Sequence, residues 1–254
     1  MSFPTSIKQY QQRIGPVSIT YEVAGSGPPL VLIHGLAGSS WWWSRNVKCL
    51  AQHFRVYVID LVGFGASQNG HPFVLEEAAA VLVQWLDHLD IARAAFVGHS
   101  MGGFVVADLA ADWPDRVSQL VLVDAAALPF DRQARHLPMD MLRAVRYIPF
   151  SFFPILLADT CRAGPVTLLK AAYELLTTDI RAKLVHIHTP TLVVWGEYDM
   201  LVPLQVGKQL CRYLPGAEKL VVIKQAGHNP MWDRPAAFNQ TIIDFLHSSP
   251  ANHT

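Results

Sequence analysis

The chain has 254 residues, 51% of them hydrophobic and 16% charged, a composition that allows a large buried core and excludes a disordered protein. Its 20 Lys and Arg equal its 20 Asp and Glu, so the basic excess of a nucleic-acid binder is missing and no nucleic-acid partner is expected. Three distant cysteines, Cys49, Cys161 and Cys211, cannot close a disulfide framework and lack metal-ligand spacing; they read as reduced, packed thiols of a cytoplasmic protein.

The first ten residues, MSFPTSIKQY, lack the apolar run of a signal peptide. Ile14-Gly15-Pro16 reads as a turn, and the alternating segment 17–23 as a half-buried strand, which together predict an N-terminal hairpin. The later strands differ. Segments 29–33, 54–60, 94–98, 119–124, 191–196 and 219–224 are near-continuous apolar runs, the pattern of strands covered on both faces of a parallel sheet. Helical patterns alternate with them. Segment 75–89 has acids in its first turn, and 101–113 stops before Pro114. A third helix opens at Pro203 and closes before Pro215-Gly216, and 235–248 ends the chain. The alternation predicts the α/β class, with a mostly parallel open sheet flanked by helices.

One connection breaks this rhythm. About sixty residues, 127–188, separate two sheet strands, far more than a usual loop. They are read as an inserted helical cap, with residues 1–126 and 189–254 forming the core. The piece YIPFSFFPILLA from Tyr147 is too short and too broken by proline to span a bilayer. The cap holds eight Lys or Arg against five Asp or Glu. An apolar face over the active site with solvated arginines is the preferred account. The sharper alternative is a lid that makes weak contact with a lipid surface.

The chemistry centres on Gly98-His99-Ser100-Met101-Gly102, a G-x-S-x-G sequence between a predicted strand and a predicted helix. Glycines let the chain turn sharply there, and the serine is lifted over the C-terminal edge of the sheet. The Met101 N–H, at the positive end of the helix, is then free for a developing oxyanion. Two further strand ends complete the set. Asp199 follows segment 191–196 in WGEYD, and His228 follows 219–224 in QAGHNP. In the order Ser, Asp, His, these residues read as nucleophile, orienting acid and general base. LIHGLAG after the 29–33 strand supplies Leu36 as the second oxyanion donor, with His34 as a brace of that loop. Asp60 in VIDLVGFGAS is read as a loop brace too.

The pieces LIHGLAGSSWWW, VIDLVGFGAS, FVGHSMGG, LVLVDAA, LVVWGEYD and GHNP together resemble the α/β-hydrolase superfamily over about residues 17–246, in the branch of esterases, C–C bond hydrolases, dehalogenases and epoxide hydrolases. The resemblance implies a serine hydrolase with no cofactor and no metal. Dehalogenases and epoxide hydrolases of the superfamily carry Asp where this chain has Ser100. C–C bond hydrolases usually have Asn before the nucleophile and Trp after the base, where this chain has His99 and Asn229. Some relatives place the acid at the position of Asp124; Asp199 is preferred here, and Asp124 is read as a helix or loop cap.

The expected activity is therefore hydrolysis of a small-molecule carboxylic ester with an apolar acyl or alcohol part, through an acyl-enzyme on Ser100. Trp41, His99, Phe153 and Asn229 are the candidate substrate-binding residues. Phe104 is assigned to the core, and His186 and His188 are not expected to bind metal. Two alternatives stay open: a C–C bond hydrolase of ring-cleavage products, and a ligand receptor with a vestigial hydrolase site. The sequence does not indicate an oligomeric state.

Overall fold

The computed structural model describes residues 6–68, 70–129 and 148–248. Strands β1 (Lys8–Ile14) and β2 (Val17–Ala24) form the expected antiparallel hairpin around Gly15. Next come β3 (Pro29–Ile33), a 3-10 turn (Ser40–Trp43), α1 (Val47–Leu50), β4 (Arg55–Asp60), α2 (Leu75–His88), β5 (Ala94–His99) and α3 (Met101–Asp112). β6 (Val117–Val123) leads into the long connection, which contains α4 (Phe153–Thr177) and α5 (Arg181–Leu184). β7 (Thr191–Gly196), α6 (Leu204–Tyr213), β8 (Ala217–Ile223), α7 (Pro230–Asp233) and α8 (Pro235–Ser248) complete the order.

The eight strands make one sheet in the order β1-β2-β4-β3-β5-β6-β7-β8. β2 pairs antiparallel with β4, and every later pairing is parallel. The apolar runs have a direct cause. Along β3, Val31 and Ile33 enter one core layer while Leu30 and Leu32 enter the other. In β6, Leu120 and Leu122 oppose Val121 and Val123 in the same way. One layer is closed by α2, α3 and α6 through Leu82, Trp85, Phe104 and Leu210. The other is closed by α1 and α8 through Leu50, Phe238, Ile242 and Leu246.

Segment 219–224 departs from the reading. It was expected to be covered on both faces, but β8 is the edge strand, and within it only Ile223 is buried. An edge strand lacks a flanking neighbour, and composition alone does not reveal that. Cys161 also departs, because it is exposed on α4 rather than packed.

Of the expected cap, residues 130–147 lie outside the described residues, and the arginine-rich stretch lies there. α4 bends at Gly164 (φ 72°) next to Pro165, where the proline removes an amide and clashes with a straight helix. Two contacts, one buried and one half-buried, fix α4 to the core. Asp159 accepts hydrogen bonds from Ser39 Oγ (2.7 Å) and Trp42 Nε1 (3.1 Å). Glu174 Oε2 accepts from the Leu75 amide (2.9 Å), an orphan donor at the start of α2. The other face of α4 leaves Leu157, Val166, Leu169, Tyr173 and Leu176 exposed. Among the described residues, no helix is long and apolar enough to cross a membrane.

Candidate active site

Ser100 stands between β5 and α3 with φ 52° and ψ −115°. For a residue with a side chain this backbone costs on the order of 1–3 kcal/mol and persists only if its surroundings fix it. They do. The Ser100 amide donates to Val123 O (2.9 Å), and its carbonyl accepts from Phe104 N (3.2 Å) and Ala126 N (3.1 Å). The glycines are sterically required, as expected. A Cβ on Gly98 would overlap the Gly102 carbonyl and Val106, and one on Gly102 would lie 2.5 Å from His34 O. Ser100 retains 8% exposure.

The ends of β7 and β8 bring Asp199 and His228 together, with Nδ1 of His228 2.8 Å from Asp199 Oδ2. Asp199 Oδ1 accepts two further bonds, from Leu201 N (2.8 Å) and Val202 N (3.0 Å). The carboxylate is thus held by three donors, and its side chain is fully buried. A proton on Nδ1 that faces Asp199 leaves Nε2 as the lone-pair nitrogen of a neutral imidazole. The two loops are tied to each other: Glu197 N donates to Ile223 O (3.1 Å) and Tyr198 N to Ala226 O (2.8 Å).

The loop after β3 is braced as its sequence suggested. Leu61 N donates to His34 Nε2 (3.1 Å), so the His34 proton sits on Nδ1 and goes to Gly35 O (2.7 Å). Burial holds His34 below the usual imidazole range, which keeps this tautomer neutral. Asp60 accepts from Ser40 N (2.5 Å) and Ala66 N (2.7 Å), joining two loops at the sheet edge. Leu36 lies in the braced loop. Met101 is the first residue of α3, where a helical amide has no intrahelical acceptor.

The four substrate-binding candidates fare differently. His99 is fully buried, and its Nε2 lies 2.7 Å from the His228 carbonyl. This contact ties the end of β5 to the His228 loop. Burial first, then the neighbouring His228, holds His99 well below the usual imidazole range, so it is a neutral donor. Trp41 is 59% exposed, and the ring that reaches His99 is Trp42, at 5.6 Å between centroids. Phe153 is 49% exposed, while Phe152 is buried against Trp42 and Trp232. A run of like residues (WWW, FF) does not show which member faces inward. Asn229 is buried just before α7, with its Oδ1 unpartnered among the described residues.

Sequence reasoning missed Asp159, Phe152 and Asp233. Asp159 had no local signal, because its partners are more than a hundred residues away. Asp233 Oδ2 accepts from Gly227 N (2.8 Å) next to His228, and burial pushes its pKa up to about 6. Asp124, Asp199 and His228 present donor atoms within 4.8 Å of one another, a spacing a cation could use. Asp199 and His228 already spend those atoms on each other and on backbone amides, which argues against a metal there.

A family model described as the alpha/beta hydrolase fold matches residues 28–161 and 164–235. The chain belongs to this family. It is 31% identical over 256 residues to the pimeloyl-[acyl-carrier protein] methyl ester esterase of Vibrio cholerae, covering 90% of this chain and 98% of that one. It is 32% identical over 247 residues to a Pseudomonas syringae protein named "Putative carbamate hydrolase RutD", covering 88% and 95%. The structure of a thermophilic esterase from Thermogutta terrifontis aligns with TM-score 0.79 and 26% identity, over 94% of this chain and 98% of that one. As an alpha/beta hydrolase of this kind, the chain is a serine hydrolase.

Proposed function

We propose that this hydrolase cleaves carboxylic esters with an apolar acyl or alcohol part through an acyl-enzyme on Ser100. The observations that support the reading are a strained, buttressed Ser100, a His228–Asp199 pair bonded at 2.8 Å, and the contact of His99, next to Ser100 in the chain, with the His228 carbonyl at 2.7 Å. In this reading His228 Nε2 takes the Ser100 proton as Oγ attacks the ester carbonyl. Asp199 holds the imidazole and stabilises its charged form. The Leu36 and Met101 amides bind the oxyanion, and losing one such donor costs roughly two to three orders of magnitude in turnover. His228 then protonates the leaving alcohol, and water repeats the sequence to release the acid. Residues 127–188 act as the cap that shapes the pocket.

Hydrolysis of a p-nitrophenyl ester series, acetate to palmitate, by wild type and Ser100→Ala tests the proposal. Turnover that disappears in Ser100→Ala supports it, and the preferred chain length sizes the pocket. No turnover with any ester refutes it and moves C–C bond hydrolysis and ligand reception forward. The carbamate-hydrolase relative favours a second reading, in which the same acyl transfer acts on a carbamate. A p-nitrophenyl carbamate cleaved faster than every ester would replace the first reading with the second. The exposed apolar side chains of α4 also favour a weak lipid-surface contact through the cap. Failure to co-sediment with anionic vesicles would remove that element.

A further inference from the structure

Asp124 is the buried acid that the triad leaves unused. It follows β6 with φ 43°, in the left-handed region that Asp tolerates better than most residues with a side chain. The residue has no exposed surface. Its Oδ1 accepts the Gly196 amide at 2.9 Å, while Oδ2 is buried with no N–H or hydroxyl donor among the described residues. The ionisable groups facing it are Asp199 from the loop after β7, His228 from the loop after β8 and Asp233 from α7.

Two carboxyl groups whose oxygens lie within 4.8 Å, both without exposed surface, strongly disfavour being ionised together. The hydrogen bonds decide which one keeps its proton. Asp199 receives two amides and the His228 Nδ1–H, so it is the better-solvated anion. Asp124 receives a single amide. A proton on Asp124 Oδ2 removes the charge conflict and turns an orphan acceptor into a donor. Burial first, then the Asp199 charge, holds the Asp124 carboxyl well above its usual range, in the same direction.

We propose that Asp124 is a positioning residue: a neutral carboxylic acid whose Oδ2 proton is hydrogen-bonded to the Asp199 carboxylate, fixing that carboxylate on His228 and moderating its charge. This rests on the proposed triad. The proton stays with the acid pair through the reaction, and no bond to substrate involves Asp124. By drawing on the Asp199 charge, the acid keeps His228 from holding a proton too firmly to serve as a base near neutral pH.

Two measurements test this. The first needs no activity. The infrared difference spectrum of wild type minus Asp124→Asn at pH 7.5 should contain the carbonyl band of a neutral carboxylic acid, shifted in D2O. A lost carboxylate band in its place overturns the proposal. The second is the pH dependence of kcat/KM for p-nitrophenyl acetate. Asp124→Asn keeps a neutral donor and should leave the acid limb in place. Asp124→Ala should move that limb up by roughly one pH unit, because Asp199 then pulls harder on the imidazolium. An ionised Asp124 predicts the opposite, a downward move in both variants. A downward move, or an unmoved limb in a folded Asp124→Ala protein, overturns the proposal. If Asp124→Ala does not fold, the infrared band still decides. Full ester turnover by Ser100→Ala would sink the triad and leave the infrared result standing by itself.

Discussion

Asp159→Ala tests how firmly α4 is fixed to the turn that follows the Leu36 loop. Asp159 is 3% exposed and accepts from two buried donors, Ser39 Oγ at 2.7 Å and Trp42 Nε1 at 3.1 Å. Among the described residues the cation paired with it is Arg162, 3.8 Å away and mostly exposed, so it contributes little. Truncation strands both donors, at about 1–3 kcal/mol each. Relief of a buried carboxylate, which burial already holds above its usual range, offsets part of that loss. The expected net destabilisation is about 2–4 kcal/mol. Asp159→Asn keeps an acceptor and should recover most of it. Urea unfolding at pH 7.5 reads the loss as a lower midpoint at constant slope. Ser39 also accepts from the Trp41 amide (3.3 Å) at the start of the turn that follows the Leu36 loop. Loosening it should lower kcat on a p-nitrophenyl ester by roughly tenfold or more, since small misplacements of a catalytic group are costly. An Asp159→Ala protein within about 0.5 kcal/mol of wild type, with unchanged kcat, would refute the reasoning.

Gly196→Ala should destabilise strongly and cost activity, because a Cβ there would overlap the Gly227 carbonyl and push the Asp199 and His228 loops apart; an Ala variant with wild-type melting and turnover would contradict this. Asp233→Asn addresses pH. The native pKa of about 6 lies above the ordinary 3.8, so the native state holds this proton more tightly than the unfolded chain. The stability it contributes is full below about pH 4 and is lost as pH rises through 6. Allowing for its partial exposure, the stability gained by wild type relative to Asp233→Asn between pH 7 and pH 5 should be about 1 kcal/mol. Equal pH dependence in the two proteins, measured by urea unfolding at both pH values, would contradict that assignment.

The elbow, the strand order of chemistry and the covered strands were legible because each is a local pattern. Glycines flanking Ser100 announce a turn that no side chain could share, and the backbone has that turn. Apolar residues on both sides of β3, β5 and β6 announce two core layers, and both are present. Asp199 and His228 could be placed because each follows directly on a strand end. Only the tertiary structure decided the rest. Which tryptophan of three meets His99, and which phenylalanine of two packs on it, depend on how the start of α4 docks on the core. His99 meets the His228 loop because His228 O comes to its Nε2 from 129 residues away. Asp124 meets Asp199 only because β6 and β7 are neighbours in a parallel sheet, which brings both chain ends to the same edge. Sequence fixes what each segment can become, because propensity and periodicity act over a few residues. Partnerships between distant polar groups arise only when packing removes water and leaves each of them one neighbour to bond.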